Sequence, residues 1–305
     1  MRFVVGVSVM AVLLAAADVP DRPFAVGVLR RDGIVVPFAA FDGRKWSSPW
    51  PKPALELTVP IDVRSVPSNW WGPTGPLDSW EAWAGASERQ PIHVSQPDWI
   101  DAHCLRQIGL RTDYRASEFP PPPHERPYPK DGLAVSPPQP IERIESVPPT
   151  SGEATAMSAV LQDAFNDAER QTARKFNHPI KTGVRERIAP TIEAMYAHGG
   201  DPRVYYVESL REYRAAGTHE CTLAAFGTGW FVRESGTYRA LSMVVDALNC
   251  DRLGASYMMP LGVARLGTRV FWLVQFSGWD HERYVVIEPK ARAVDAVLSV
   301  WGGGC

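Results

Sequence analysis

The sequence carries almost no excess charge of either sign. Its 305 residues include 32 Lys and Arg and 34 Asp and Glu, which gives a formal net charge of −2 with histidine neutral. Proteins that bind nucleic acid, and basic modules that bind membrane surfaces, need clustered Lys and Arg to attract phosphate groups. The balanced charge therefore argues against both classes, and no nucleic-acid partner is expected.

The common catalytic and cofactor-binding motifs are missing as well. There is no Gly-x-Ser-x-Gly elbow, no P-loop and no dinucleotide fingerprint. His-Glu pairs begin at positions 124, 219 and 281, but none has a second histidine four residues after the first, so no zincin helix is present. Gly227-Thr228-Gly229 lies among strand-forming residues with no helix after it, which favours a β-bulge over a phosphate site. No cofactor is predicted.

Long hydrophobic runs are almost absent. The apolar run over residues 3–14 is shorter than the roughly 20 residues that a membrane-spanning helix needs. It follows Met1-Arg2 and precedes Ala15-Ala16-Ala17, an arrangement typical of a signal peptide over residues 1–17. We therefore expect an exported protein, periplasmic or secreted, with no integral membrane segment once the signal is cleaved. The alternatives are an uncleaved N-terminal anchor and a misplaced start.

Cysteine is scarce, and no Cys-x-x-Cys pattern indicates a redox motif or a zinc knuckle. In an exported chain an even number of cysteines predicts disulfides, each contributing about 2–4 kcal/mol. Four cysteines allow three disulfide pairings, and the sequence does not choose between them. The alternative to disulfides is that one or more cysteines are free thiols, including a catalytic one. We expect Cys305 to be tied back to the sheet, because a bare Gly302-Gly303-Gly304 tail would otherwise fray. The four cysteines are Cys104, Cys221, Cys250 and Cys305.

The clearest structural pattern lies in residues 238–289, where β-branched and aromatic residues are densest. In residues 268–277 both alternating faces are largely apolar, which predicts a central strand of an antiparallel sheet. Residues 257–266 lead into it across a short link containing Gly267, which predicts a hairpin, while Pro260 fits an edge or a bulge. Further strands are predicted at residues 204–213, 241–245, 284–287 and 293–301, although the last also fits a helix.

Residues 18–115 are predicted to form a β-rich N-terminal part. The turn signals Asp32-Gly33 and Asp42-Gly43 predict a β-meander. Trp70 and Trp71 are neighbours in a loop and cannot easily both face inward, so we predict that they form a stacking surface for a glycan or another flat ligand. The alternative is that most tryptophans of this part fill the core. They are Trp46, Trp50, Trp70, Trp71, Trp80, Trp83 and Trp99.

Residues 116–150 are rich in proline. Such a density of proline favours extended polyproline II structure and opposes helices and inner strands. We predict a linker in which residues 132–135 and 141–147 each add a short edge strand. The alternative is a docking motif for a partner protein.

Residues 151–305 are predicted to hold two helices followed by the C-terminal antiparallel sheet. Thr150 and Glu153 form a capping box at the start of an amphipathic helix. A second helix is predicted over residues 184–198, where Pro190 either kinks the helix or marks its true start.

The best candidate for chemistry is Asp280-His281-Glu282, in a turn between predicted strands. Two flanking carboxylates favour the charged form of an imidazole, and rigid strands would hold these groups in place. If His219 and Glu220 lie on a neighbouring loop, they and His281 could bind a divalent metal through nitrogen and oxygen. The alternative is a solvated polar loop.

The fold class predicted from these patterns is α+β, predominantly antiparallel β. The preferred functional hypothesis is an exported, disulfide-containing, non-catalytic protein that binds a ligand or partner, such as a glycan or another envelope component. One alternative is an exported hydrolase, metal-assisted or not, that uses the Asp280-His281-Glu282 loop. A second alternative is a structural component of the cell envelope.

Overall fold

The computed structural model of the protein describes residues 22–54, 79–84, 89–116, 130–175, 178–214 and 220–305. It is built mainly from antiparallel strands, with few helices, as the sequence predicts. The signal-peptide prediction for residues 1–17 lies outside the described residues. Within the described ranges, no helix is both long enough and apolar enough to cross a membrane.

Five strands of the N-terminal part and one strand of the proline-rich segment close into an antiparallel barrel. The ring follows the order β1-β7-β4-β5-β6-β2 and closes because β2 pairs back with β1. The two-residue strand β3 pairs with the end of β2. The hairpin predicted at Asp32-Gly33 is present, with Gly33 at φ +81°. These strands are β1 (Phe24–Arg30), β2 (Ile34–Phe41), β3 (Trp46–Ser47), β4 (Ser79–Ala84), β5 (Gln90–Ala102), β6 (Leu105–Thr112) and β7 (Lys130–Ser136).

Large and small apolar side chains from all six strands fill the barrel interior. Trp80 is the largest of them and is 1% exposed, with Ile92 and Leu110 beside it. Trp46 and Trp50 are also buried, which agrees with the core alternative for these tryptophans. Trp70 and Trp71 lie outside the described residues.

The remaining strands form two five-stranded antiparallel sheets. The C-terminal sheet has the order β17-β16-β15-β14-β8, and the middle sheet has the order β13-β12-β11-β10-β9. The C-terminal sheet contains β8 (Ile141–Glu142), β14 (Tyr257–Leu266), β15 (Arg269–Ser277), β16 (His281–Pro289) and β17 (Val294–Gly304). The middle sheet contains β9 (Glu145–Ser146), β10 (Thr191–His198), β11 (Arg203–Arg214), β12 (Cys221–Glu234) and β13 (Thr237–Leu248).

The C-terminal sheet lies between the barrel and the middle sheet, so its central strand is covered on both faces. Phe271 and Leu273 of β15 pack on the outside of the barrel. Trp272 and Val274, which alternate with them, pack on the middle sheet. The prediction of a central strand is confirmed, and the register shifts next to Pro260 confirm a bulge there. The strand predicted at residues 293–301, where the pattern also fits a helix, corresponds to the strand β17.

The proline-rich segment supplies a strand to each of the three sheets. β8 and β9 are edge strands, as predicted for residues 141–147. β7 is not an edge strand, because it pairs with β1 on one side and β4 on the other. Small residues permit this position: a Cβ atom on Gly132 would lie 2.1 Å from the carbonyl oxygen of Trp83.

Helix α1 (Gly152–Ala173) covers the outer face of the middle sheet with Met157, Leu161 and Phe165. A Cβ atom on Gly227 would lie 2.6 Å from the Phe165 ring, so this glycine lets the helix approach the sheet. The bulge predicted at residues 227–229 is misplaced, because the register shifts after Trp230.

Two local predictions near the helices are wrong. The N-cap is Ser151, whose hydroxyl accepts from the Ala154 N–H, and the Glu153 carboxylate binds Arg233 at 3.0 Å instead of closing a capping box. The second helix is only α2 (Thr182–Arg185), and residues 191–198 form β10. Their apolar spacing fits a helix, but pairing with β11 along the whole strand gives backbone hydrogen bonds, and Met195 and Tyr196 pack into different clusters on the two faces of the sheet.

All four cysteines are paired, which is compatible with export. Cys221 bonds to Cys250, and Cys104 in the β5–β6 turn bonds to Cys305. Cys305 is therefore tied to the barrel, across the interface from its own sheet. The preceding glycines do not form a frayed tail: Gly303 is buried at φ +131°, and a Cβ atom there would lie 2.5 Å from the carbonyl oxygen of Ala102.

Candidate functional site: a cleft between two sheets

A cleft of about 480 Å³ lies between the middle sheet and the C-terminal sheet. Its exposed lining residues include Ser242 and Asp246 on β13, and Ala296 and Ser299 on β17. β13 and β17 are the edge strands of their sheets on this side, so the cleft opens between two strand edges. Its volume falls in the usual range of small-molecule sites, roughly 300–1,000 Å³.

The floor of the cleft is apolar because strand alternation turns one face of each sheet inward. Phe226 and Trp230 of β12 face the C-terminal sheet, where Trp230 packs with Val285 and Ile287 of β16 and Phe226 contacts Tyr257 of β14. Phe276 of β15 completes this surface and is only partly buried. A ligand in the cleft would meet aromatic and aliphatic side chains from both sheets.

The rim carries two basic side chains that meet one tryptophan. The His281 ring stacks on Trp301 with centroids 5.7 Å apart and an interplanar angle of 7°. The guanidinium of Arg283 lies 5.8 Å from the same indole. Both basic residues line the cleft, because residues 281 and 283 are two positions apart and lie on the same face of β16.

The structure brings two of the three predicted catalytic residues together. The Nδ1 atom of His281 lies 2.8 Å from Oδ1 of Asp280, and this hydrogen bond lowers the pKa of the Asp280 carboxyl. Glu282 points to the other face of β16, as strand alternation requires. The three side chains therefore do not converge on one point.

Glu282 belongs to a buried polar cluster between the C-terminal sheet and the barrel. Its carboxylate accepts from Lys130 Nζ at 2.7 Å, from Tyr284 Oη at 2.7 Å and from Gln275 Nε2 at 3.0 Å. Burial lowers the pKa of Lys130, an effect that the nearby Glu282 opposes. Burial also raises the pKa of Tyr284 well above its ordinary value. With these partners Glu282 forms a buried structural ion pair with Lys130 and is not an accessible catalytic acid.

The predicted metal site lies only partly within the described residues. His219 lies outside them, while Glu220 and His281 lie inside. Among the described residues, no group of three or more His, Cys, Asp or Glu side chains could hold a metal ion. The metal hypothesis that includes His219 stays a prediction.

Sequence reasoning missed a buried acid between the two sheets. Glu208 of β11 is 2% exposed and accepts from the Met258 N–H at 2.5 Å. Its cross-strand partner is Thr228, which lines the cleft. Burial raises the pKa of Glu208 to about 7. The sequence does contain a signal for this residue: Glu208 stands among apolar residues on one alternating face of the predicted strand.

A second groove, of about 850 Å³, lies beside β8 and β9. Its carboxylates already have basic partners: Glu142 binds Arg265 at 2.7 Å and Glu145 binds Arg203 at 2.6 Å. The cleft between the sheets differs in presenting Arg283 without such a partner. Among the described residues, no carboxylate forms an ion pair with Arg283, and the contact it makes is with Trp301.

In comparisons with known proteins, no family model, no curated protein and no solved structure matches this chain.

Proposed function

We propose that this protein is a non-catalytic binding protein that holds a small ligand with an apolar body in the cleft between its two sheets. The observation that carries the proposal is the cleft itself, in which facing apolar walls open to solvent between the edge strands β13 and β17. Apolar pockets with a few convergent polar groups are the usual form of small-molecule sites. The two disulfides fit an exported binding protein.

The hydrolase alternative has less support. Hydrolysis by Asp280-His281-Glu282 needs these groups to act on one substrate, but the Glu282 carboxylate is held by Lys130, Tyr284 and Gln275. The Asp280–His281 pair alone orients an imidazole without supplying a nucleophile. An oriented imidazole with no nucleophile beside it and an apolar floor below it fits binding better than catalysis.

The binding proposal can be tested with a neutral apolar fluorophore, N-phenylnaphthylamine, titrated into the full chain. Saturable enhancement of its emission is expected. The variant Ala296→Trp adds an indole to an exposed lining position of β17, so it should fill the cleft and weaken binding about tenfold or more.

The matched control is Ala291→Trp, which places the same indole on an exposed residue of the β16–β17 turn outside the cleft lining. It should bind the fluorophore like the parent protein. If the parent gave no saturable signal, or if Ala296→Trp bound as tightly as Ala291→Trp, the cleft would not be the binding site.

A further inference from the structure

Arg283 differs from the neighbouring arginines of the C-terminal sheet. Arg269 binds Glu288 through two hydrogen bonds of 2.7 and 2.9 Å, and Arg265 binds Glu142 in the same bidentate way. Arg283 is exposed at the cleft and contacts the Trp301 ring instead. Its planar fork of N–H donors is therefore available to a ligand, and that fork matches a carboxylate.

His281 stands on the same face of β16 and is held in place from two sides. Asp280 binds its Nδ1 atom at 2.8 Å, and Trp301 stacks on its ring. Within the described residues no hydrogen-bond partner occupies its Nε2 atom. With its Nδ1–H donated to Asp280, the neutral imidazole presents Nε2 as an acceptor, so the group at this rim that binds an anion is the Arg283 guanidinium, and His281 and Trp301 shape the surface beside it.

From this geometry we infer that the ligand is a carboxylate with an aliphatic chain. Arg283 holds the carboxylate at the rim beside His281 and Trp301, and the chain lies on Phe276, Val285 and neighbouring apolar residues of the floor. This inference rests on the proposed binding function and names the chemical class of its ligand.

The charges around the rim favour a carboxylate over a phosphate. Asp246 also lines the cleft, and Asp280 lies directly behind His281. These two carboxylates oppose a dianion more strongly than a monoanion. A single arginine fork suits the smaller charge.

The test compares three ligands with the same chain, dodecanoate, dodecyl phosphate and dodecanol, each below its critical micelle concentration. Binding to the full chain is measured by displacement of N-phenylnaphthylamine. Dodecanoate is expected to bind about tenfold or more tightly than dodecanol, since a hydrogen bond to a charged partner is worth at least that factor. Dodecyl phosphate is expected to bind more weakly than dodecanoate.

The variant Arg283→Gln should remove the advantage of dodecanoate over dodecanol and leave dodecanol affinity unchanged. The matched control Arg292→Gln removes the same charge from the exposed β16–β17 turn outside the cleft lining and should keep the full advantage. Asp246→Asn removes the opposing charge and should not weaken dodecanoate binding. Arg283→Lys keeps the positive charge but lacks the bidentate guanidinium, so it should keep only part of the preference for dodecanoate over dodecanol. This second variant also keeps the test valid if Arg283→Gln fails to fold.

Each outcome has a distinct meaning. Equal affinity for dodecanoate and dodecanol, or an unchanged advantage in Arg283→Gln, would overturn the carboxylate inference while the cleft proposal survived. Tighter binding of dodecyl phosphate would replace the carboxylate by a phosphate head group and so overturn the inference as stated. If N-phenylnaphthylamine binds but none of the three ligands displaces it, the carboxylate inference would be overturned while the cleft proposal survived. If the fluorophore itself does not bind, both would be overturned.

Discussion

The Nζ atom of Lys130 lies 2.7 Å from Oε2 of Glu282, and the two side chains are only 4% and 3% exposed. Lys130 begins the strand β7 of the barrel, and Glu282 lies near the start of β16 in the C-terminal sheet. A buried ion pair thus joins the barrel to the sheet that packs on it. Tyr284 and Gln275 donate two further hydrogen bonds to the carboxylate.

Removal of one member of this pair should be strongly destabilising. Lys130→Met leaves the Glu282 carboxylate buried without its cation, which is expected to lower the free energy of unfolding by about 3–5 kcal/mol. Adding Glu282→Gln removes the stranded charge and keeps an acceptor for Tyr284, so the double variant should recover much of the loss. Urea denaturation of the parent, both single variants and the double variant measures this coupling. A loss below about 1 kcal/mol in Lys130→Met would show that the pair is not buried in solution.

Glu208 should make stability depend on pH. Its pKa is raised from 4.5 to about 7 in the folded protein, so between these values the folded chain keeps a proton that the unfolded chain has lost. The resulting stabilisation is complete below pH 4.5, falls as the pH rises through this window, and is gone above pH 7. A shift of this size corresponds to about 3 kcal/mol.

The variant Glu208→Gln should remove this part of the pH dependence, because the amide does not titrate. The measurement is the free energy of unfolding by urea at several pH values between about 4 and 8. Glu234→Gln is the matched control, since it makes the same chemical change at an exposed position. Parallel curves for the parent and Glu208→Gln would contradict the prediction.

Gly303 should tolerate no side chain. Its φ of +131° disfavours other residues, and an added Cβ atom would meet the carbonyl oxygen of Ala102 at 2.5 Å. Gly303→Ala is therefore expected to lower stability by more than about 1 kcal/mol. At Gly200 an added Cβ atom meets nothing within 4 Å, so Gly200→Ala should change stability by less than about 0.5 kcal/mol. Thermal denaturation compares the two, and equal melting temperatures would count against this packing of the C-terminal glycines.

The disulfides should follow the pairing Cys104–Cys305 and Cys221–Cys250. Digestion of the oxidised protein without reductant, followed by mass spectrometry, should yield these two linked peptides. Removal of Cys104–Cys305 by a double Cys→Ser change should lower stability by about 2–5 kcal/mol, because this bond closes a loop between residues 201 positions apart. Linked peptides of any other pairing would contradict the structure.

The strands were predictable where side chains follow a simple alternation. In β15, Trp272 and Val274 face one layer and Phe271 and Leu273 face another, and that pattern can be read from neighbouring residues alone. Prediction failed for β10, because Met195 and Tyr196 also fit a helical spacing and only the ladder with β11 decides between the two structures. For short segments, tertiary pairing outweighs local preference.

The candidate site was predictable only in part. Asp280 and His281 were identified from their position in a polar turn, and they lie in contact. The roles of Arg283 and Trp301 were missed, since the contact between them depends on the register of β16 against β17. The predicted sites at Trp70, Trp71 and His219 lie outside the described residues.

The sequence by itself determined the predominance of strands, the positions of the tight turns and the presence of an even set of cysteines, because each depends on residue type or on neighbours a few positions apart. The tertiary structure alone decided the closure of the barrel, the pairing of the cysteines, the burial of Glu282 against Lys130 and the cleft between the sheets. These features join residues far apart in the chain, 152 positions in the case of Lys130 and Glu282, and no local pattern encodes such a contact.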